Sequence, residues 1–166
     1  MFELNKNYDA VSQLHKQATG LKNSDIFLAI DCLKRANNII HNSGTAWDVE
    51  PLLRLPLFLQ KAGLFDDAVE EFNLLLHDAE RDAVLCIPEN NRTENTKKSS
   101  IHFRYWAIYD KMRVAFKRQK LIAQSEKYGQ AATEHRAKAL DYSTEAENEL
   151  VESIKKRRDL LSTSRD

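Results

Sequence analysis

Between Leu52 and Leu76 the chain reads LLRLPLFLQKAGLFDDAVEEFNLLL. Few folds accommodate such a stretch. Leu52, Leu55 and Leu59 recur at spacings of three and four, which places them on one helical face. Leu53 and Leu57 widen that face. Gly63 then stands where a helix ends and positive φ costs a glycine least. Asp66 and Asp67 follow in a new first turn, where carboxylates meet exposed N–H groups. Ala68, Phe72, Leu75 and Leu76 form the apolar stripe of this second helix, with Glu70, Glu71 and Asn73 pointing away. The stretch predicts a helical hairpin with a tight turn. Pro56 sits inside the first of its helices. That proline is tolerable if the helix starts near Leu52 or Leu53; if it starts near Trp47, the helix kinks.

The second half of this hairpin resembles a tetratricopeptide repeat. Gly63, Phe65, Ala68 and Phe72 stand at that family's turn and second-helix spacings, and Leu52, Leu55 and Leu59 match large apolar positions of its first helix. Pro56 replaces the family's small residue, and Glu80 stands where a proline is usual. Ala29, Leu33 and Ala36 resemble the second helix of an earlier repeat that lacks the turn glycine. The resemblance implies stacked hairpins whose first helices line a shallow groove. Arg54, Leu57, Gln60 and Lys61 would then face that groove and contact a peptide or helix.

The 166 residues suffice for one domain, which buries roughly 70% of its unfolded surface. Only four glycines and three prolines punctuate the chain, and alternating Val/Ile runs are absent. An all-α fold is expected. No basic start followed by an apolar core marks the N-terminus as a signal peptide, and no apolar run is long enough to span a membrane. Cys32 and Cys86 lie far apart without paired spacing. Reduced thiols in a cytoplasmic protein are the expectation, with one disulfide as the rival reading.

Taken in order, Tyr8–Leu21 predicts a first helix with Val11, Leu14 and Ala18 facing inward. Asn23, Ser24 and Asp25 are N-cap candidates for a second, from about Ile26 to Ile40. HNSGT, residues 41–45, closes it with a loop. The second helix of the central hairpin is expected to run on to Cys86, with Pro88 stopping it. PENNRTENTKKSS, residues 88–100, reads as a polar linker. It separates a repeat-like region, 1–87, from long C-terminal helices, 101–166. Ser99 or Ser100 is expected to cap the next helix, whose stripe is Ile101, Tyr105, Ile108, Met112, Ala115 and Ile122. One helix or two over 101–161 is left open. From Tyr128 to Leu161 a sparse seam runs Tyr128, Ala132, His135, Ala139, Tyr142, Ala146, Leu150, Ile154 and Leu161. Such a seam suits one helical partner: the preceding helix folded back, or a second copy of the chain.

Formal net charge is zero, but charge is segregated. Residues 1–96 hold 9 Lys+Arg against 15 Asp+Glu, and residues 97–166 hold 16 against 10. Either the two halves attract each other within one fold, or a basic face awaits an anionic partner. Lys111, Arg113, Lys117 and Arg118 carry the candidate basic surface, with Phe103, Tyr105, Trp106 and Tyr109 interleaved. Single-stranded nucleic acid calls for both features. At helical spacing the aromatics also read as core, and the cations as partners of the acidic helix 66–82. The closing Lys155–Arg158 run reads as a solvated helix end or a phosphate-binding patch.

No phosphate loop, paired-cysteine motif, zinc-helix motif or nucleophile elbow occurs. His15, His41, His77, His102 and His135 show no ligand spacing. No catalytic residue, metal or cofactor is therefore expected. The primary expectation is a non-catalytic protein–protein interaction module with a protein or peptide partner, and a homodimer through 128–161 as a further contact. A nucleic-acid-associated protein using the basic helix 97–120 is the alternative, and an enzyme the third.

Overall fold

A computed structural model describes residues 2–44 and 47–163, with side chains for residues 6–44 and 47–158. Thr45, the last residue of the expected 41–45 loop, and the Leu161 side chain lie outside the described residues. Among the described residues the chain forms seven α-helices and one 3-10 turn, with no strand. It is all-α.

The first hairpin pairs α1 (Phe2–Leu21) with α2 (Ile26–Asn42). Asp25 caps α2: its carboxylate accepts from the Leu28 amide at 2.9 Å, satisfying one of the orphan donors of the first turn. Val11, Leu14 and Ala18 meet Ala29, Leu33 and Ala36 in one buried cluster. The four alanine and leucine positions Ala18, Ala29, Leu33 and Ala36 are completely inaccessible.

The second hairpin pairs α3 (Val49–Lys61) with α4 (Phe65–His77). Gly63 sits between them at φ +83, and the Leu64 amide reaches back to the Leu59 carbonyl at 3.0 Å. That left-handed turn is what the glycine permits. Ala68 and Phe72 are fully buried. The Phe65 ring meets Phe116 edge-on at 5.0 Å, so the start of α4 docks on a helix far along the chain. The third helix begins at Val49 and carries Pro56 in its interior. The pyrrolidine is fully buried, so the ring that interrupts the hydrogen-bond ladder also fills core volume.

Two expected boundaries are corrected. The second helix of the hairpin does not run unbroken to Cys86: α4 ends at His77, the chain turns at Asp78, and a separate α5 (Ala79–Leu85) follows. The polar stretch 88–100 is a linker only in its first part. After a 3-10 turn at Glu89–Asn91, Thr93 accepts from the Thr96 amide at 3.2 Å and α6 (Glu94–Arg118) begins. Thr93, not Ser99 or Ser100, is the cap. Those serines lie inside α6 as tethers. Ser99 Oγ donates to the Ala139 carbonyl at 3.0 Å, and Ser100 Oγ to the Ala83 carbonyl at 3.1 Å.

The last helix, α7 (Ile122–Thr163), is separate from α6 and begins earlier than Tyr128. The turn between them places Lys120 at φ 60. There the Leu121 amide bonds the Phe116 carbonyl and the Lys120 amide the Lys117 carbonyl, both at 3.0 Å. This closes α6 with the left-handed cap geometry usually given to glycine. Helices α6 and α7 share the most extensive contact in the molecule. Gly129 lies inside α7, where a Cβ would come within 3.0 Å of Arg113 Cδ.

The two ends of the chain share one core. Ile108, Met112, Ala115 and Phe116 of α6 belong to the same buried cluster as α1–α4. No helix among the described residues is long and apolar enough to cross a membrane. Cys32 and Cys86 are free thiols, and burial pushes the Cys86 thiol upward.

Candidate functional site

The inner face of α3 carries apolar residues inward and leaves Arg54, Leu57 and Lys61 on its outer side, spaced three and four apart. These residues line a cleft of about 590 Å³ together with Phe58 and Gln60. The α1–α2 turn supplies Lys22 and Asn23, and the end of α6 supplies Arg118. All four residues expected to face a groove, Arg54, Leu57, Gln60 and Lys61, therefore line one cavity.

The cleft is cationic. Lys22, Arg54, Lys61 and Arg118 line it, and no carboxylate does. Among the described residues none of these four is ion-paired. Neutral groups position them instead. Arg54 Nη1 lies 2.8 Å from His15 Nδ1, and its Nη2 donates to Thr19 Oγ1 at 2.6 Å. Lys61 Nζ donates to the Lys22 carbonyl at 3.0 Å and to Asn23 Oδ1 at 2.8 Å. Arg118 Nη1 donates to Gln60 Oε1 at 3.3 Å.

An apolar floor lies beneath. The Phe58 ring is buried, with Lys22 Nζ 5.8 Å and the Arg54 guanidinium 5.7 Å from its centroid. At these distances the cations interact with the ring face as well as with solvent. Burial, followed by the Arg54 charge, holds the His15 imidazole below its ordinary pKa. Since Arg54 donates into Nδ1, His15 carries its proton on Nε2, and that buried atom has no partner. Chemically, the arrangement can hold carboxylate or phosphate oxygens over an aromatic surface.

The four expected basic-surface residues do not form one face. Lys111 and Arg113 are tied to Asp110, at 3.1 and 2.7 Å. Burial pushes the Asp110 carboxyl up, but the hydrogen bonds and charges of Arg113 and Lys111 together outweigh it and hold the carboxyl below its usual range. Lys111 and Arg118 are seven residues apart and share one side of α6; Arg113 and Lys117 share another. Only Arg118 joins the cleft. The expected pairing of basic residues with the acidic helices occurs at Arg104, which meets Asp82 at 3.2 Å. Phe103, Tyr105, Trp106 and Tyr109 are half-buried. Tyr105 and Tyr109 pack against His135 of α7, and Arg136 lies over Trp106.

Sequence reasoning missed three features. Lys22 and Phe58 join the cleft; nothing local in the sequence places Lys22 beside α3. Arg104 is a buried clasp. It is 6% exposed and donates to the Trp47 carbonyl as well as to Asp82. The third is a histidine pair. His102 and His135, 33 residues apart, bring their Nδ1 atoms to 2.8 Å across the α6–α7 contact. At that distance one Nδ1 donates and the other accepts. Burial lowers both pKa values, aided by Lys138 for each and by His102 for His135, against Glu134. Among the described residues no group of three or more His, Cys, Asp or Glu is placed to hold a metal ion.

Compared with protein-family models, with curated proteins and with solved structures, the chain finds no match.

Proposed function

We propose that this chain is a non-catalytic protein–protein interaction module of the tetratricopeptide-like kind, working in a cytoplasmic setting. Its α3 cleft grips an acidic segment of a partner protein. The observation that carries this reading is the set of four cations, Lys22, Arg54, Lys61 and Arg118, lining one cleft with no ion-paired carboxylate. Such cations stay solvated in the free protein and gain charge-assisted hydrogen bonds when carboxylates arrive. Phe58 and Leu57 supply apolar surface for the partner's methylenes. The mixed lining discriminates against a lysine-rich segment, which would meet like charge.

The test is fluorescence anisotropy with three labelled probes: an Asp/Glu-rich peptide with a free carboxylate, a Lys-rich peptide of the same length, and a single-stranded oligonucleotide. The acidic peptide should bind, the basic one should not, and affinity should fall with added salt. The double change Lys61→Glu with Arg118→Glu should weaken binding about tenfold or more, the scale of losing one or two charged contacts. Binding of the oligonucleotide alone, lost on Lys111→Glu with Lys117→Glu, would replace this reading with the nucleic-acid one.

A further inference from the structure

The seam predicted from Tyr128 to Leu161 divides in two. Its first part is used inside the chain: Ala132 and Ala139 are buried, and Tyr128, His135 and Tyr142 pack against α6 aromatics. The internal contact ends where Asn95, in the first turn of α6, donates to Glu149 at 2.9 Å. Beyond it residues 150–163 of α7 run past the end of α6, a length of about 20 Å at 1.5 Å per residue. Every residue from Glu147 to Arg158 is exposed. Leu150, Val151 and Ile154 are 60%, 49% and 56% exposed.

These apolar residues are not scattered. Glu147, Val151, Ile154 and Arg158 follow at spacings of four, three and four, the interval pattern of a helix–helix seam. Leu150 flanks it. This face is turned about a quarter-turn away from the face that Ala132, Ala139 and Ala146 present to α6, by the 100° advance per residue of a helix. A helix can therefore lie along it without displacing α6.

We infer that this overhang pairs antiparallel with the same segment of a second copy of the chain. The charge pattern selects that occupant. From Asp141 to Ile154 the sequence holds five acids and no base, and four bases follow at once, Lys155–Arg158. A dyad between Glu152 and Ser153 brings Val151 against Ile154 of the second copy and Glu147 against its Arg158. Each contact occurs twice. A parallel copy would set acids on acids and the basic run on itself, which is unfavourable. The apolar centre is short, so the interface belongs with the smaller, weaker associations. It makes no use of the cleft.

Sedimentation equilibrium of the full-length chain over a concentration series tests this. The mass should rise from one chain toward two, less so at high salt, since exposed charge pairs are screened. Arg158→Glu should leave a monomer, and so should Glu147→Lys. Both changes in one chain restore the cross-pair and should restore the dimer. The helical signal and melting temperature of the body should not move in any variant, because the altered residues are exposed. A wild-type mass of one chain at all concentrations overturns the inference. So does a dimer that survives either single change, or one that the paired exchange fails to recover.

Discussion

Removing Arg104 should cost about 2–3 kcal/mol of stability, at or below the low end of what its two hydrogen bonds would sum to at roughly 1.5–3 kcal/mol each for a charged group. The guanidinium is 6% exposed and joins three parts of the chain: α6 itself, the Trp47 carbonyl ahead of α3 at 3.1 Å, and Asp82 of α5 at 3.2 Å. Breaking a fully buried ion pair costs about 3–5 kcal/mol. The lower figure applies here for two reasons. The Asp82 side chain is 20% exposed and keeps a second cation, Arg81, at 3.0 Å, so its charge is not stranded. The Trp47 carbonyl keeps the Cys86 thiol at 3.3 Å, a weak donor. Arg104 Nε, buried without a partner, is a cost that disappears with the residue.

Urea unfolding of Arg104→Met, followed by far-ultraviolet circular dichroism, measures this directly. A loss of 2–3 kcal/mol corresponds to a melting-temperature drop of roughly 5–10 °C for a domain of this size. Asp82→Asn should cost less, about 1 kcal/mol, because the amide still accepts from Arg104. The double variant should cost less than the sum of the two single changes, with a coupling of about 1–2 kcal/mol. A change under about 0.5 kcal/mol for Arg104→Met at an unaltered m-value, or strict additivity in the cycle, would refute the claim that this pair clasps α5 and α6.

Further outcomes follow from the same geometry. Folded-state pKa values of His15, His102 and His135 lie below the unfolded value, so the unfolded chain binds more protons and stability falls as pH drops below about 6.5. The effect is fully present above that pH as stability and is exhausted below the lowered folded values. A melting series should show the fall, and His135→Gln should flatten it. The raised pKa of Glu71, set mainly by burial, works in the opposite direction as pH falls toward the carboxylate range. Lys120→Gly should raise stability by about 0.5–1 kcal/mol, since φ 60 costs a lysine what it does not cost glycine; a loss would show that the lysine side chain holds the turn. Ala68→Leu should destabilise by about 1–3 kcal/mol by overpacking a position with no accessible surface, measured by urea unfolding.

The central hairpin was legible because two local codes agree there. Leucines at 3–4 spacing set the buried side of α3, and Gly63 set the turn. Neither depends on anything distant in the chain. The polar stretch 88–100 was misread for the complementary reason. Asn95, Thr96, Ser99 and Ser100 carry weak helix propensity, but Ser99 and Ser100 bond carbonyls of α7 and α5, so tertiary contacts make a helix that local composition does not announce. The histidines show the same limit. Each alone read as an ordinary polar residue, and only the antiparallel register of α6 and α7 sets His102 on His135. Within the cleft, Arg54, Leu57, Gln60 and Lys61 were findable because one helix carries them. Lys22 and Arg118 were not findable as their companions, because two other elements bring them there.

Charge segregation has an answer at the same level of detail. Among the described residues the acidic and basic halves meet in few ion pairs, chiefly the buried Arg104 with Asp82. Elsewhere on α6, Lys111 and Arg113 answer to Asp110 and Lys98 to Glu94 on their own helix. Two clusters of charge without an ion pair among the described residues are the cations around Phe58 and the acid-then-base run of the α7 overhang. They differ in kind. The cleft carries one sign of charge, which on the reading proposed above an acidic partner neutralises. The overhang carries both signs in sequence and is neutralised by its own reversal. On these two proposals a single chain of net charge zero presents one surface complementary to an acidic partner and another complementary to itself. Two copies joined through α7 would offer an acidic partner two clefts at once, and a divalent partner would bind such a dimer more tightly than either cleft alone allows.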